Sequence, residues 1–392
     1  MPQQSKTIYL MGTACAGLFT FGIMTSFLGT TIQEWTVRLN FDLVRGGALF
    51  SFLYFPQIPM VFLAGPIIDR FGKKPVLVTG FLFSAGALLG MAYAPSYAVL
   101  GGLLVILGLG GSAAMSAANT LIPDLYPENP SSALNLGGIF FGIGAIFFPS
   151  AVTMMTARLG LPATLWAIAL LVVGVAAIGS LQSFPPAGAA GGFNWAEAGR
   201  LALNPAVILL SWVLFFYSAL EISTSGWIRT YLEQTLSASP KTSQAILTSF
   251  WAALMVGRLA ASQVVKKVRG PNLVLASSAL ALLGLVIVAV SQNIPTAVTG
   301  VVLCGLSFAP VFPTTAGTAS TYFSRLFGTA FGILMSIALL SGAIIPPLIG
   351  YVAQRDSIRT GLWLLAAIAV LLLLTQAIFN RYEKRVLIPG KK

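Results

Sequence analysis

Glu221 stands in the middle of an apolar run, Phe215-Phe216-Tyr217-Ser218-Ala219-Leu220-Glu221-Ile222-Ser223-Thr224-Ser225-Gly226-Trp227. An ionisable group in such surroundings is expensive and marks a functional position. The chain holds only 10 acidic residues and no histidine, and Glu221 is the one acidic side chain that falls inside an apolar span. Three roles are open to it: hydrogen-bonding substrate hydroxyls, carrying a coupling proton, or fixing neighbouring helices through a buried polar contact. Tyr217 precedes it by one helical turn, and Trp227 and Tyr231 follow at i+6 and i+10. Rings beside a polar acceptor suit a sugar, whose C–H face stacks on aromatics while its hydroxyls seek donors and acceptors. Placement in an interfacial aromatic belt is the alternative for Trp227 and the preferred reading for Tyr231.

Amides add to this set. Gln57, Asn119 and Asn135 lie inside apolar runs, and an amide donates and accepts at once, as polyol recognition requires. Interhelical hydrogen bonding is the other reading of each. Pro310, Pro313, Thr314 and Thr315 form a further group in which prolines free backbone carbonyls and threonines can re-satisfy them. Trp251 is a candidate to line the same space. The substrate-binding candidates are therefore Glu221, Asn119, Asn135, Gln57, Trp227, Trp251, Tyr217 and Thr314.

These residues need apolar elements to hold them. The chain is 57% hydrophobic with a mean hydropathy of +0.88, far from the soluble globular norm. A bilayer crossing takes about 20 apolar residues, and twelve such windows fit: 8–30, 44–67, 75–93, 97–121, 134–156, 161–183, 205–232, 241–265, 271–290, 295–319, 327–352 and 358–382. An all-α membrane fold of twelve helices follows. Its organisation is a six-helix bundle over 1–183, a Pro/Gly-rich linker over 184–203 and a second bundle over 204–392.

The halves repeat. Pro149 and Pro346, Arg158 and Arg355, Trp166 and Trp363, Gly29 and Gly226, and Gly108 and Gly305 each stand 197 positions apart. Such a parallel repeat predicts two bundles related by an axis along the membrane normal, with a central substrate site and alternating access.

The net charge of +12 reports topology rather than nucleic-acid binding. With both termini on the cytoplasmic side, fourteen cations fall inside and seven outside, the positive-inside bias. The loop carrying Asp124 and Glu128 contributes no cation to that balance. Cys15 and Cys304 lie in apolar spans and read as small buried hydrophobes. The first span can serve as a signal anchor, and the absence of an Asn-x-Ser/Thr sequon favours a bacterial inner membrane. There is no Cys/His cluster and no carboxylate pair, so neither an enzyme, a cofactor nor a metal is expected. The expected partners are a small-molecule substrate, an H⁺ or Na⁺ coupling ion and the lipid bilayer, with the chain acting as a monomer.

Residues 65 to 74 read Gly65-Pro66-Ile67-Ile68-Asp69-Arg70-Phe71-Gly72-Lys73-Lys74, a charged turn between two apolar runs. Its pattern, G-x-x-x-D-R-x-G-K-K, resembles the signature loop between helices 2 and 3 of major facilitator superfamily carriers. The resemblance implies a gating role for Gly65, Asp69, Arg70, Gly72, Lys73 and Lys74. Asp69 can accept at a helix N-terminus and Gly72 supplies the turn. Arg258, near the inner end of its span, joins the gating candidates, with snorkelling as the competing reading. The 197-residue shift places Lys266 and Lys267 where Asp69 and Arg70 stand, so the second half keeps cations without the carboxylate.

Asn119-Thr120-Leu121-Ile122-Pro123-Asp124-Leu125-Tyr126-Pro127, with Leu134-Asn135-Leu136, Phe141-Gly142-Ile143-Gly144-Ala145 and Pro149, is similar to the fucose–proton symporter family, which includes glucose/galactose transporters. Glu221, Gly226-Trp227 and Tyr231-Leu232 resemble its wider branch. The resemblance implies transport of a monosaccharide. One departure stands out: the glutamate four residues before the helix 4 asparagine is Met115 here, and helix 1 offers Thr25 and Ser26 in place of an aspartate. Coupling then falls to Glu221 or another ion, or the chain is an uncoupled facilitator. Proton-coupled drug or metabolite efflux is the alternative, disfavoured because Gly144 and Pro149 do not fit the antiporter spacing.

Overall fold

The protein is represented by a computed structural model that describes residues 3–41, 43–187 and 195–387. The middle of the expected linker, Lys391 and Lys392 lie outside the described residues. Fourteen α-helices follow in chain order: α1 Gln3–Leu39, α2 Leu43–Tyr54, α3 Gln57–Phe71, α4 Lys73–Ala92, α5 Tyr97–Leu125, α6 Pro130–Leu181, α7 Trp195–Ala202, α8 Pro205–Thr235, α9 Pro240–Val264, α10 Gly270–Val290, α11 Ile294–Phe308, α12 Val311–Tyr322, α13 Phe327–Arg355 and α14 Ile358–Tyr382. Among the described residues, eleven helical segments are long and apolar enough to cross a membrane, and Pro130–Ile146 is a shorter twelfth. The all-α membrane fold is thus the observed one.

Local chemistry explains the boundaries. Ser96, Asn204, Ser239, Asn293 and Ser357 each cap a helix by accepting from a backbone N–H of its first turn, satisfying groups no helix can bond internally. Pro205, Pro240 and Pro295 sit just inside three of those starts, where a missing N–H costs nothing. The second expected span is broken at Phe55–Pro56 into α2 and α3, and the tenth at Ala309–Pro310 into α11 and α12. The fifth and sixth run on as α6, with a sharp bend at Gly160, whose φ of 81° suits glycine. The linker contains a short helix, α7, and α1 continues to Leu39, well past the expected end at residue 30.

The chain forms two compact units. Unit 1 comprises Met1–Pro127, Gly137–Trp195 and Arg325–Gly332; unit 2 comprises Glu128–Leu136, Ala196–Ser324 and Ile333–Lys392. Each half of the sequence thus surrenders the first two turns of one long helix to the other unit. The surrendered segments begin 197 positions apart, at Glu128 and Arg325.

The same shift governs packing inside each unit. In unit 1 a Cβ on Gly108 would lie 2.2 Å from the Leu53 carbonyl oxygen. In unit 2 a Cβ on Gly305 would lie 2.4 Å from the carbonyl oxygen of Phe250, which is Leu53 shifted by 197. Both are backbone-on-backbone approaches that only glycine allows. The helix caps Ser96 and Asn293 obey the shift too. So do the wholly buried stretch Gly110–Pro123 of α5 and the buried Pro313–Ser320 of α12. In α5, Ser112, Ser116 and Thr120 turn their hydroxyls back onto carbonyls four residues earlier, which removes free polar groups from that buried run.

Candidate functional site

The charged turn is built at the end of α3. The φ of Gly72 is 89°, a left-handed conformation that halts α3 and starts α4. Asp69, 3% exposed, faces the first turn of α13 within unit 1. Its Oδ1 accepts from the Gly328 backbone N–H at 2.9 Å. Its Oδ2 accepts from the Thr329 N–H at 2.7 Å and the Thr329 hydroxyl at 2.6 Å. The carboxylate therefore caps α13, where unbonded N–H groups and the helix dipole favour an anion. The approach needs Gly65, because a Cβ there would stand 2.3 Å from the Gly328 carbonyl oxygen.

The cations of the turn are distributed among different partners. Lys73 Nζ binds Asp124 Oδ2 at 2.6 Å, so the acidic residue that carried no cation in its own loop has one from α4. Lys74 Nζ donates to the Gln182 carbonyl at 2.9 Å. Arg70 is exposed, with its guanidinium 5.0 Å from the Phe71 ring centre.

Unit 2 repeats this contact in different chemistry. Shifting Gly65 and Thr329 by 197 gives Ser262 and Ser132, and the Ser132 hydroxyl donates to the Ser262 carbonyl at 2.6 Å. Ser131 donates to the Thr314 carbonyl at 3.3 Å. Neutral hydroxyls thus take the place that Asp69 holds in unit 1.

Asn135 belongs to the same corner. Its Nδ2 donates to the Ser131 carbonyl at 2.8 Å and to Thr314 Oγ1 at 3.3 Å. Asn135 is 0% exposed and Thr315 is 1% exposed. Among the described residues, Asn135 Oδ1 and Thr315 Oγ1 are buried without a hydrogen-bond partner, as are Ser223 Oγ and Thr224 Oγ1 of α8. Orphan polar atoms are costly in an apolar interior.

Glu221 is half-buried on α8, which packs against α9, α12 and α14. Tyr217, one turn earlier, and Arg258 of α9 are the groups that interact electrostatically with the Glu221 carboxylate. Arg258, grouped by sequence position with the gating turn, is 5% exposed in this cluster. Its place two turns from the end of α9 sends the side chain to α8. Trp251 lies on the same stripe of α9, seven residues before Arg258, with its ring 5.2 Å from Phe250.

The other candidates hold more local positions. Gln57 Nε2 donates to the Leu53 carbonyl at 3.1 Å and Asn119 Nδ2 to the Met115 carbonyl at 3.0 Å, each on the preceding turn. Trp227 Nε1 donates to the Pro346 carbonyl at 3.2 Å and its ring packs on Gly350. Tyr231 is fully buried, bonded to the Val288 carbonyl and to Ser291, which is not an interfacial belt position. Glu34 lies on the added length of α1, with Oε2 buried and unpartnered among the described atoms.

The sequence model of the Major Facilitator Superfamily matches residues 14–324 and again 210–391. The chain belongs to that superfamily. Among its relatives is the Protein TsgA homolog of Buchnera aphidicola subsp. Schizaphis graminum, 27% identical over 246 residues, covering 62% of this chain and 63% of that one. A putative glucose/galactose transporter of Helicobacter pylori is 29% identical over 141 residues, 36% of this chain and 34% of that protein. The chain thus spans less than two thirds of the length of these curated relatives. The crystal structure of FucP superposes with a TM-score of 0.84 at 16% identity, covering 95% of this chain and 99% of the other. At that identity the likeness is one of fold.

Proposed function

We propose that this superfamily member carries a monosaccharide or similar small polyol across the plasma membrane by alternating access, with both termini cytoplasmic. The observation that carries the reading is the polar interior of unit 2. Among the described residues, Asn135 Oδ1, Thr315 Oγ1 and Thr224 Oγ1 are buried and unpartnered, in a unit where Glu221 also interacts electrostatically with Tyr217 and Arg258. A ligand dense in hydroxyl groups supplies the donors and acceptors these atoms lack. The glucose/galactose name of the Helicobacter relative points the same way. In this reading the substrate-binding residues are drawn from Glu221, Tyr217, Asn135, Thr314, Trp251, Trp227, Asn119 and Gln57. Asp69 and its turn act on conformational exchange. The chain works as a monomer on a solute that it moves unchanged.

The test is a thermal-shift screen of the purified protein against hexoses, deoxyhexoses, sugar acids and lipophilic cations, with and without Na⁺. A ligand that binds only the folded carrier raises its apparent stability by mass action. Stabilisation by sugars supports the reading, and stabilisation by lipophilic cations alone refutes it. Glu221→Gln separates the roles of the carboxyl. Severe loss of sugar affinity marks a substrate contact, retained affinity with altered pH dependence marks a proton site, and reduced folding yield alone marks a structural pair.

A further inference from the structure

Where α3, α4 and α5 of unit 1 meet, a groove of about 360 Å³ is lined by Met60, Ile67, Val76, Phe83, Ile106 and Ala113, with Gly80 and Gly110 buried between them. That size falls within the usual range of ligand pockets, about 300–1,000 Å³. The hollow comes from a crossing of backbones. A Cβ on Gly80 would stand 2.7 Å from the Gly110 carbonyl oxygen, and one on Gly110 2.6 Å from that of Gly80. Two helices meeting through hydrogen atoms leave a recess that their larger neighbours rim. Phe83, Ile106 and Ile67 are 64%, 39% and 37% exposed, so the recess opens at the surface, between segments long and apolar enough to cross a membrane.

The chemistry of the lining narrows the occupant. Among the described residues that line it, Thr79 alone has a polar side chain, and its hydroxyl donates to the Pro75 carbonyl at 2.7 Å. A sugar or a peptide laid in this groove would leave its polar groups unbonded. A hydrocarbon chain would not. Met60 and Arg70 stand ten residues apart on α3, about 15 Å of helix at about 1.5 Å per residue. That is half of the about 30 Å hydrocarbon core, the depth of one leaflet. Arg70 marks the polar end, following Ile67 at i+3 on the same side of α3. It is exposed, and no carboxylate among the described residues pairs with it. The nearby Asp69 is taken up by Gly328 and Thr329, and Lys73 is neutralised by Asp124. The groove therefore ends at an uncompensated guanidinium.

We propose that this groove holds one acyl chain of an anionic phospholipid, with the lipid phosphate on Arg70. The guanidinium fork meets two phosphate oxygens at once, and basic positions beside transmembrane helices attract anionic headgroups. A zwitterionic lipid fills the groove as well but brings a second cation toward Arg70. Shape holds the chain, and charge selects the lipid.

The experiment titrates purified, delipidated wild-type protein with phosphatidylglycerol or phosphatidylethanolamine of matched acyl chains, and counts bound lipids by native mass spectrometry. The expected result is one phosphatidylglycerol held about tenfold more tightly than phosphatidylethanolamine, the worth of one charged contact near the membrane surface. Lysophosphatidylglycerol, with a single chain, should compete for the site, and glycerol 3-phosphate should not. Phosphatidylglycerol with a diazirine on its acyl chain should label residues 60–83 and 106–113. Arg70→Gln should abolish the headgroup preference and keep the labelling. Thr79→Trp, which places a ring in the groove, should abolish the labelling. Equal affinity for the two lipids overturns the proposal, as does labelling spread evenly over the membrane-facing helices or a preference that survives Arg70→Gln. Displacement by glycerol 3-phosphate would make the site one for a free phosphate and overturn it too. So would a dimer whose formation expels the lipid, which assigns the groove to a second copy of the chain. The affinity and labelling arms use wild-type protein alone, so poor folding of either variant leaves the outcome decided.

Discussion

Replacing Asp69 with asparagine keeps the size of the side chain and changes one acceptor oxygen into an NH₂ donor. In the native arrangement the two oxygens receive three hydrogen bonds, from Gly328 N–H, Thr329 N–H and the Thr329 hydroxyl, at 2.9, 2.7 and 2.6 Å. Whichever way the amide turns, its NH₂ faces a backbone N–H of α13 that loses its partner. The site is 3% exposed, so water cannot substitute freely, and an orphaned buried donor costs about 1–3 kcal/mol. Loss of the charge at the helix N-terminus adds about 0.3–1 kcal/mol. Together they weaken the capped arrangement by about 2–3 kcal/mol, which at about 1.4 kcal/mol per decade is a roughly thirtyfold to hundredfold shift in population. On the proposal that the turn acts on conformational exchange, turnover should fall by at least tenfold while substrate affinity stays within about twofold. Initial uptake rates in proteoliposomes, measured across substrate concentration beside equilibrium binding in detergent, give both quantities. Thr329→Val removes only the hydroxyl bond and should follow in the same direction with a smaller effect. A selective loss of affinity at full maximal rate would refute the reasoning, and so would an Asp69→Asn carrier that turns over normally.

Other substitutions probe the packing beneath the site. Gly108→Ala and Gly305→Ala place a methyl on a carbonyl oxygen and should each cost about 1–3 kcal/mol, seen as matched drops in melting temperature. Gly102→Ala, with no heavy atom within 4 Å, should melt like the wild type, and equal drops in all three would contradict the packing account. Tyr231→Phe removes a buried hydroxyl bonded to Val288 and Ser291 and should cost about 1–3 kcal/mol of stability; a change in substrate selectivity instead would place Tyr231 in the binding site. Lys73→Met leaves Asp124 unpaired, but that carboxylate is 28% exposed, so a loss of about 1 kcal/mol, shrinking in high salt, is expected from thermal melts.

What the sequence made legible was whatever repeats locally or at a fixed shift. The apolar windows, the glycine–aspartate turn at Gly65–Gly72 and the 197-residue correspondence all reappear in the fold, the last even in the Gly108 and Gly305 contacts. Pairings across long separations were hidden. Asp69 finds Gly328 and Thr329 some 260 positions away, and nothing in its own turn names them. Arg258 illustrates a different limit: its depth in α9 was readable, but helical periodicity does not say which neighbouring helix its long side chain reaches. Glu34 was missed because Gln33 and Glu34 lower the local hydropathy and make the first span appear to stop early. The pairing of Asp124 with Lys73 was hidden in the same way, since the two stand on different helices.

The exchanged segments, Glu128–Leu136 and Arg325–Gly332, bear on how the chain is made. Synthesis runs from the N-terminus, so Asp69 and Gly65 leave the ribosome some 260 residues before the turn of α13 that completes their contact. Until then unit 1 is short of the first two turns of α13, and the Asp69 carboxylate lacks its three donors there. Glu128–Leu136, in turn, waits for most of unit 2 to be inserted before Ser132 can reach Ser262. The first half is therefore an unfinished product when the second half begins, and a cut in the linker would leave two fragments that each need a piece of the other to close.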